Sequence, residues 1–133
     1  MIEGTVVAYQ GRIPIRARGQ DGELKSIEAV VDTGFDGWLS LPSVLITALG
    51  FRWKTKGQGV LADGTESEFD VFDGVILWHG RPRRISVVSM STVPLIGMAL
   101  LEGNELNLKV RQGGAVTIKP LRRRGSQPPR GDL

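Results

Sequence analysis

The sequence predicts an all-β fold, a small barrel or sandwich of short, mostly antiparallel strands with one or two short helices. Two observations carry this prediction. Short apolar or alternating segments recur along the chain, with Gly, Pro, Asp and Asn between them. Residues 13–18 also alternate with a period of two, the pattern of a strand with one buried face. A chain of 133 residues fits one domain of this kind.

Strands and turns are expected to follow one another along most of the chain. A strand over 5–9 leads into Gln10-Gly11-Arg12, and a hairpin turn at 19–22 follows the strand 13–18. The remaining predicted strands are 24–31, two strands within 57–71 around a turn at 62–65, then 74–77, 84–90, 105–110 and 115–119, with further turns at 79–82 and 112–114.

Two short segments are expected to be helical. Leu41-Pro42-Ser43 begins the first helix, over 44–49, because the residue before a proline stays extended and the proline opens the first turn. Gly50 ends this helix. The second helix, over 98–101, ends before Gly103-Asn104.

The net charge of +3 lies at the C-terminus of the chain. Residues 121–133 hold Arg122, Arg123, Arg124 and Arg130 against Asp132, so residues 1–120 carry equal numbers of basic and acidic side chains. Without an excess positive field on the folded part, no nucleic-acid partner is expected. We expect one domain over 1–120 and a basic, disordered tail over 121–133.

The composition excludes several kinds of site. The chain has no Cys and one His, His79, which rules out disulfides, thiolate metal sites and multi-His metal sites. The first residues lack the basic and apolar regions of a signal peptide, and apolar stretches such as 93–101 are too short to span a bilayer. A cytoplasmic protein without membrane contact is expected. His79 is expected in an exposed turn, and Trp38, Trp53 and Trp78 are expected to be packing residues, with Trp38 also a candidate to line a cleft.

The candidate catalytic residue is Asp32, directly after the apolar end of the strand 24–31. Burying a lone carboxylate is costly, so an acid at such a place usually has a partner or a chemical role. Thr33 offers a hydroxyl beside it, and Gly34 lets the backbone turn sharply. The structural alternative is that Asp32 caps a turn. Asp36-Gly37 is expected to be a turn pair of that kind.

Three segments together carry a resemblance to a known family. They are Asp-Thr-Gly-Phe-Asp-Gly at 32–37, Leu-Ser-Leu-Pro at 39–42 and Val-Pro-Leu-Ile-Gly-Met at 93–98. In order and spacing they resemble the retropepsin-like (clan AA) aspartic peptidases, and more closely the small bacterial single-lobe members. The resemblance covers nearly all of residues 1–120. It implies a retropepsin-like closed barrel and aspartic endopeptidase activity without a metal or cofactor.

The resemblance also implies roles for individual residues. Each lobe of such an enzyme carries one catalytic aspartate, so a homodimer is expected in which two copies of Asp32 share a proton and activate a water against a peptide or protein substrate. Thr33 and Gly34 would complete the catalytic triplet. Leu95, Ile96 and Gly97 would support the catalytic loop from beneath. The expected substrate-binding residues are Phe35 in the loop and Ala62, Asp63, Gly64 and Thr65 at the tip of a flap.

Departures from the family's pattern leave alternatives open. Phe35 stands where retroviral members usually have Ala, Met98 where they have Arg, and Asp63 where the flap tip is a run of glycines. These changes bear on substrate preference, dimer contacts and flap closure.

The first alternative is a non-catalytic, dimeric peptide-binding module with the same fold. The second, ranked last, is nucleic-acid binding through the arginine tail.

Overall fold

The all-β prediction is confirmed by the computed structural model of the chain, which describes residues 1–60 and 63–122. Strands make up most of this part, and both helices are short. The strands are β1 (Ile2–Val7), β2 (Gln10–Arg18), β3 (Leu24–Val31), β4 (Leu39–Ser40), β5 (Arg52–Val60), β6 (Glu66–Trp78), β7 (Arg81–Val88), β8 (Leu95–Ile96), β9 (Asn104–Leu108) and β10 (Ala115–Pro120), and the helices are α1 (Ser43–Leu49) and α2 (Met98–Leu101).

All ten of these strands belong to one sheet, in the order β5-β6-β7-β4-β8-β3-β2-β1-β10-β9. Neighbouring strands are antiparallel except at two places, where β3 pairs with β8 and β4 with β7 in parallel. β2 also pairs with β6, through Arg16↔Leu77 and Ala17↔Ile76. Strands β2, β3, β8, β4, β7 and β6 therefore follow one another in a ring of pairings, and the apolar side chains of the ring collect on its inner side.

The core consists of aliphatic side chains from almost every element. In β2 the residues Ile13, Ile15 and Ala17 are buried while the residues between them are exposed, as the period of two predicts. The fully buried larger residues are Ile13, Leu39, Leu41, Ile46, Ile76, Val87, Ile96, Leu100, Val116 and Ile118, together with Ser40. Leu39 of β4 and Ile96 of β8 are among these buried residues. Because β4 and β8 adjoin the segment that follows Asp32, the core extends beneath that segment.

Both predicted helices are present. Helix α1 follows Pro42 and ends at Gly50, whose φ of 70° is left-handed and whose N–H donates to the carbonyls of Ile46 and Thr47. Glycine adopts this conformation without the steric cost that other residues meet. Helix α2 is a single turn after Gly97. Within residues 1–60 and 63–122, no helix is long and apolar enough to cross a membrane.

Several boundaries differ from the prediction, and three of the differences have a clear structural origin. The first turn lies at Ala8-Tyr9, with φ of 50° and 63°, and Gln10 already pairs with Val7. Residues 66–78 form one strand instead of two, because β7 pairs with β6 without interruption from Val71↔Val88 to Trp78↔Arg81. The turn predicted at 79–82 shrinks to two residues for the same reason.

His79 and Trp53 also differ from expectation. His79 lies in the turn, but it is half-buried and its Nε2 is 2.8 Å from Oδ1 of Asn104. Trp78 is buried as predicted, whereas Trp53 is 53% exposed. Trp53 therefore does not serve as a core packing residue. The predicted domain boundary at residue 120 stays a prediction, and residues 123–133 of the expected tail lie outside the described residues.

Candidate active site

Asp32 lies where β3 ends, and β8 fixes its backbone. Val30 pairs with Leu95 and Val31 with Ile96 in the parallel β3–β8 ladder. The ladder continues one step further, since the Asp32 N–H donates a 2.9 Å hydrogen bond to the Ile96 carbonyl. The structure therefore brings together the two segments that the sequence places about sixty residues apart.

Strand β8 also pairs with the segment that leaves the loop. Leu39 and Ser40 of β4 lie antiparallel to Ile96 and Leu95. The loop 32–38 is thus anchored by the same two-residue strand at its entry and at its exit. Ile96 is fully buried, so both anchors rest on the core.

The residues just after β8 bond to the middle of the loop. Successive N–H groups of residues 97–99 donate to the carbonyls of Trp38, Phe35 and Gly37, at 3.1, 2.8 and 3.1 Å respectively. Three hydrogen bonds within seven loop residues leave the loop backbone little freedom. The loop is therefore a rigid support for whatever side chain projects from it.

Phe35 packs inside this support. A Cβ added at Gly37 would lie 2.5 Å from Cζ of the Phe35 ring, and one added at Gly97 would lie 2.6 Å from Cδ2 of the same ring. The ring is therefore held between two glycines that have no side chain to displace it. Phe35 is half-buried, so part of the ring remains available to a ligand while the rest supports the loop.

Asp32 is half-buried as a residue, and its own loop orients its carboxylate. The Oδ1 atom of Asp32 accepts a 2.9 Å hydrogen bond from the Gly34 N–H, and the backbone carbonyl of Asp32 accepts a 3.2 Å hydrogen bond from the Phe35 N–H. A Cβ at Gly34 would lie 3.3 Å from Oδ1, so glycine lets the backbone approach the carboxylate. Thr33 and Gly34 are exposed. Within the part of the chain that is described, the Thr33 hydroxyl makes no hydrogen bond.

The predicted flap corresponds to a hairpin arm, which we define as residues 57–69. β5 pairs with β6 from Gly57↔Phe69 to Val60↔Glu66, whereas the pairing of β6 with β7 starts only at Val71. The arm is therefore two-stranded and extends beyond the rest of the sheet. The Phe69 ring packs across it, since a Cβ at Gly59 would lie 3.3 Å from Cε1 of Phe69 and one at Gly57 would lie 2.6 Å from Cζ of the same ring.

The tip of the arm is ordered by Asp63. Its Oδ1 accepts hydrogen bonds from the Thr65 hydroxyl at 2.6 Å and from the Thr65 N–H at 3.0 Å. These bonds, that to the hydroxyl above all, hold the pKa of the Asp63 carboxyl below its ordinary value. Gly64 between them has a φ of 87°. Ala62, the remaining residue predicted at the tip, lies outside the described residues.

Asp70 braces the base of the arm, a role that the sequence analysis missed. Its Oδ1 is 3.1 Å from Nζ of Lys56 and accepts a 3.1 Å hydrogen bond from Nε1 of Trp53. The bond to Lys56, followed by that to Trp53, lowers the pKa of Asp70. The backbone carbonyl of Asp70 accepts a hydrogen bond from the N–H of Ser89, which directly follows β7. Asp70 therefore lies where the pairing of β6 with β7 ends and the two-stranded arm begins. The available signal was an acid near the end of the predicted hairpin 57–71 and a lysine directly before its start, a spacing that places the two side chains opposite each other.

Comparisons with known proteins give one similar structure. No family model and no curated protein matches the chain. The solution structure of the simian foamy virus (mac) protease is similar at a TM-score of 0.47 and 17% sequence identity, over 66% of this chain and 90% of the viral one. At this degree of similarity, the function of the chain has to be inferred from its own residues.

Proposed function

We propose that the chain is an aspartic endopeptidase that works as a homodimer, with Asp32 of each copy forming the catalytic pair. The observation that carries the proposal is the position of Asp32, a half-buried residue on a loop whose entry and exit are anchored by the same strand, β8. A turn-capping aspartate needs no such support. A catalytic one does, because acid–base chemistry depends on placement to within about half an ångström.

The dimer follows from the number of carboxylates. Asp32 is the chain's single Asp-Thr-Gly aspartate, and peptide hydrolysis of this type requires two acids of opposite protonation state. A second copy related by a two-fold axis supplies the other acid and presents the same loop. The exposed Thr33 hydroxyl is suited to a hydrogen bond across that axis, because Thr33 lies next to Asp32 on the exposed part of the loop.

In the proposed mechanism the two Asp32 carboxyls share one proton, since two negative charges so close cannot both persist. The ionised carboxylate acts as general base on a water held between the pair. The protonated one donates to the scissile carbonyl oxygen as the tetrahedral intermediate forms. The proton taken from water then passes to the leaving nitrogen. The Gly34 N–H, by bonding to Oδ1, keeps each carboxylate in one orientation through both steps.

The hairpin arm supplies the proposed substrate contact. β5 is at the edge of the sheet, and an extended peptide binds most readily by adding to exposed strand backbone. With Phe69 packed across the glycine side of the arm, the two strands move as a unit about the base at Asp70. Such a unit can close over a peptide and exclude water. The cytoplasmic location expected from the sequence stays a prediction.

The test is the Asp32→Asn variant, with Asp36→Asn as its matched control. Asp36 is an exposed acid of the same loop, so the control makes the same chemical change four residues away. Cleavage of a mixed peptide pool, followed by mass spectrometry, is expected to fall about 100-fold or more in Asp32→Asn and to be retained in Asp36→Asn. Both proteins should sediment as dimers. Cleavage that survives in Asp32→Asn removes the mechanism.

A mixing experiment tests the shared pair directly. In an equimolar mixture of wild type and Asp32→Asn, about a quarter of randomly formed dimers carry two Asp32 residues. The activity for each wild-type chain is therefore expected to fall to about half. Activity that stays constant on mixing shows that one chain suffices. A folded dimer that neither cleaves peptides nor binds a pepstatin-like inhibitor favours the alternative, a peptide-binding module with the same fold.

A further inference from the structure

A cavity of ≈ 660 Å³ lies at the base of the hairpin arm, away from Asp32. Its wall crosses three strands in register, with Arg52 of β5 opposite Asp73 of β6, and Asp73 opposite Ser86 of β7. Trp38, at the exit of the catalytic loop, closes one side. Residues 32–35 and the tip of the arm do not line the cavity, so it is distinct from the candidate active site.

The charged groups around this cavity are unequal in sign. Arg52, Lys54 and Arg84 line it, against one carboxylate, Asp73. Nζ of Lys54 is 3.8 Å from Oδ1 of Asp73, and both side chains are more than half exposed. An ion pair of this kind is weak, so both charged groups can also bind other partners. Within residues 1–60 and 63–122, neither arginine has a carboxylate oxygen within 4.0 Å.

This local excess of positive charge is not a property of the whole domain. Residues 1–120 carry equal numbers of basic and acidic side chains, so the excess of three cations over one carboxylate is local to this concave site. A cleft lined by one sign of charge focuses its field and attracts ions of the other sign. Arginine in particular suits carboxylate and phosphate oxygens, which its guanidinium contacts in pairs.

The site is an open concave surface whose size suits a small molecule. Its volume lies within the range of about 300–1,000 Å³ that small ligands occupy. The register of β5 shifts between Trp53 and Thr55, and a bulge of this kind turns the extra residue, Lys54, out of the regular alternation. Trp38 adds a half-buried aromatic wall, with the Arg83 guanidinium 4.9 Å from its ring centroid.

We propose that this cavity binds a small organic anion bearing two or more negative charges, as carboxylate or phosphate groups. Arg52 and Arg84 contact the anionic groups from β5 and β7, and Lys54 exchanges its weak pair with Asp73 for the ligand. Trp38 covers the carbon skeleton. The ligand bridges three strands at the base of the arm. This binding does not depend on peptidase activity, so the Asp32→Asn protein is expected to bind equally well.

The test is a calorimetric titration of the full chain at low ionic strength with two probes, citrate and adenosine diphosphate. Saturable binding of either probe is expected, at one site per chain. The double variant Arg52→Ala/Arg84→Ala is expected to weaken it at least about tenfold. Arg111→Ala removes one exposed positive charge elsewhere and is expected to change Kd less than about twofold. Asp73→Asn is expected to tighten binding, because it removes the one repelling carboxylate.

The two probes separate the possible sources of the anion. Binding of citrate alone assigns the site to polycarboxylates, and binding of adenosine diphosphate alone assigns it to organic phosphates that use the Trp38 wall. Asp73→Asn keeps the test decisive if the arginine variant fails to fold, since a gain in affinity cannot come from unfolding. The proposal is overturned if neither probe saturates, or if Arg111→Ala weakens binding as much as the double variant does.

Discussion

Gly97→Ala is expected to destabilise the chain strongly, and the reason is purely steric. Gly97 has a φ of −101° and a ψ of 176°, extended values that alanine adopts without strain. The added Cβ, however, would lie 2.8 Å from the Phe35 carbonyl oxygen and 2.6 Å from Cδ2 of its ring, and would overlap the Gly37 carbonyl oxygen. Two of these three contacts are with backbone, which cannot rotate away.

The magnitude follows from what must move. Restoring ordinary contact distances requires a separation of roughly 1 Å between the loop and residue 97. That displacement breaks or weakens the three hydrogen bonds from residues 97–99 to the loop, whose lengths are 3.1, 2.8 and 3.1 Å. At about 1 kcal/mol for each bond, with a further ~1 kcal/mol or more of overpacking, we expect a loss of about 3–5 kcal/mol.

Urea denaturation followed by tryptophan fluorescence measures this loss, at one fixed protein concentration because the stability of the proposed dimer would depend on that concentration. The control is Gly80→Ala, where an added Cβ meets nothing within 4 Å but φ is 78°. Strain alone should cost about 1–2 kcal/mol there. A Gly97→Ala protein that loses less free energy of unfolding than Gly80→Ala refutes the account of the loop as a tightly packed support.

Two further predictions concern Ser40 and Asp63. Ser40 is 1% exposed, and its Oγ contacts the Ser91 Oγ at 2.7 Å and accepts the Met90 N–H at 3.3 Å. Ser40→Ala therefore removes two hydrogen bonds made by a buried hydroxyl, and the urea midpoint should fall by the equivalent of about 1–3 kcal/mol. The expectation is contradicted if Ser40→Ala loses less free energy of unfolding than Ser91→Ala, which changes a less buried serine. Asp63 has a lowered pKa in the folded chain, so its contribution to the turn is present above the ordinary aspartate pKa and is lost as pH falls through the lowered value. The NMR shift of the Thr65 amide should titrate below the ordinary aspartate range and should stay flat in Asp63→Asn; a midpoint in the ordinary range is the opposing result.

The hairpin arm and the loop 32–38 depend on different kinds of contact. The loop is held by backbone hydrogen bonds and by a ring between two glycines, which are insensitive to pH. The arm is held at its tip and its base by the side chains of Asp63 and Asp70, both with lowered pKa values. These two acids stay ionised where ordinary aspartates begin to take up protons. The arm is thus expected to keep its order in mildly acidic conditions.

Much of the local structure was determined by the sequence itself. Helix α1, with Pro42 at its start and Gly50 at its end, and strand β3 over 24–31 appear as predicted, because capping chemistry and the run of apolar residues act within a few residues. The turn at Asp63-Gly64 is local in the same sense. The juxtaposition of Asp32 with Leu95 and Ile96 was expected from the resemblance of the motifs, and the structure places these residues side by side.

What tertiary structure alone decided are the features that depend on a distant partner. β6 continues through Gly74 because β7 pairs along it. The side chains of Phe51 and Val87 occupy the space that a Cβ at position 74 would need. Trp53 lies on the exposed edge strand β5 and donates a hydrogen bond to Asp70, seventeen residues away. Phe35 supports its loop only because Gly97, which has no side chain to displace the ring, lies beside it. Period and capping describe a residue's neighbours along the chain, whereas these positions are set by groups that folding brings together from far along it.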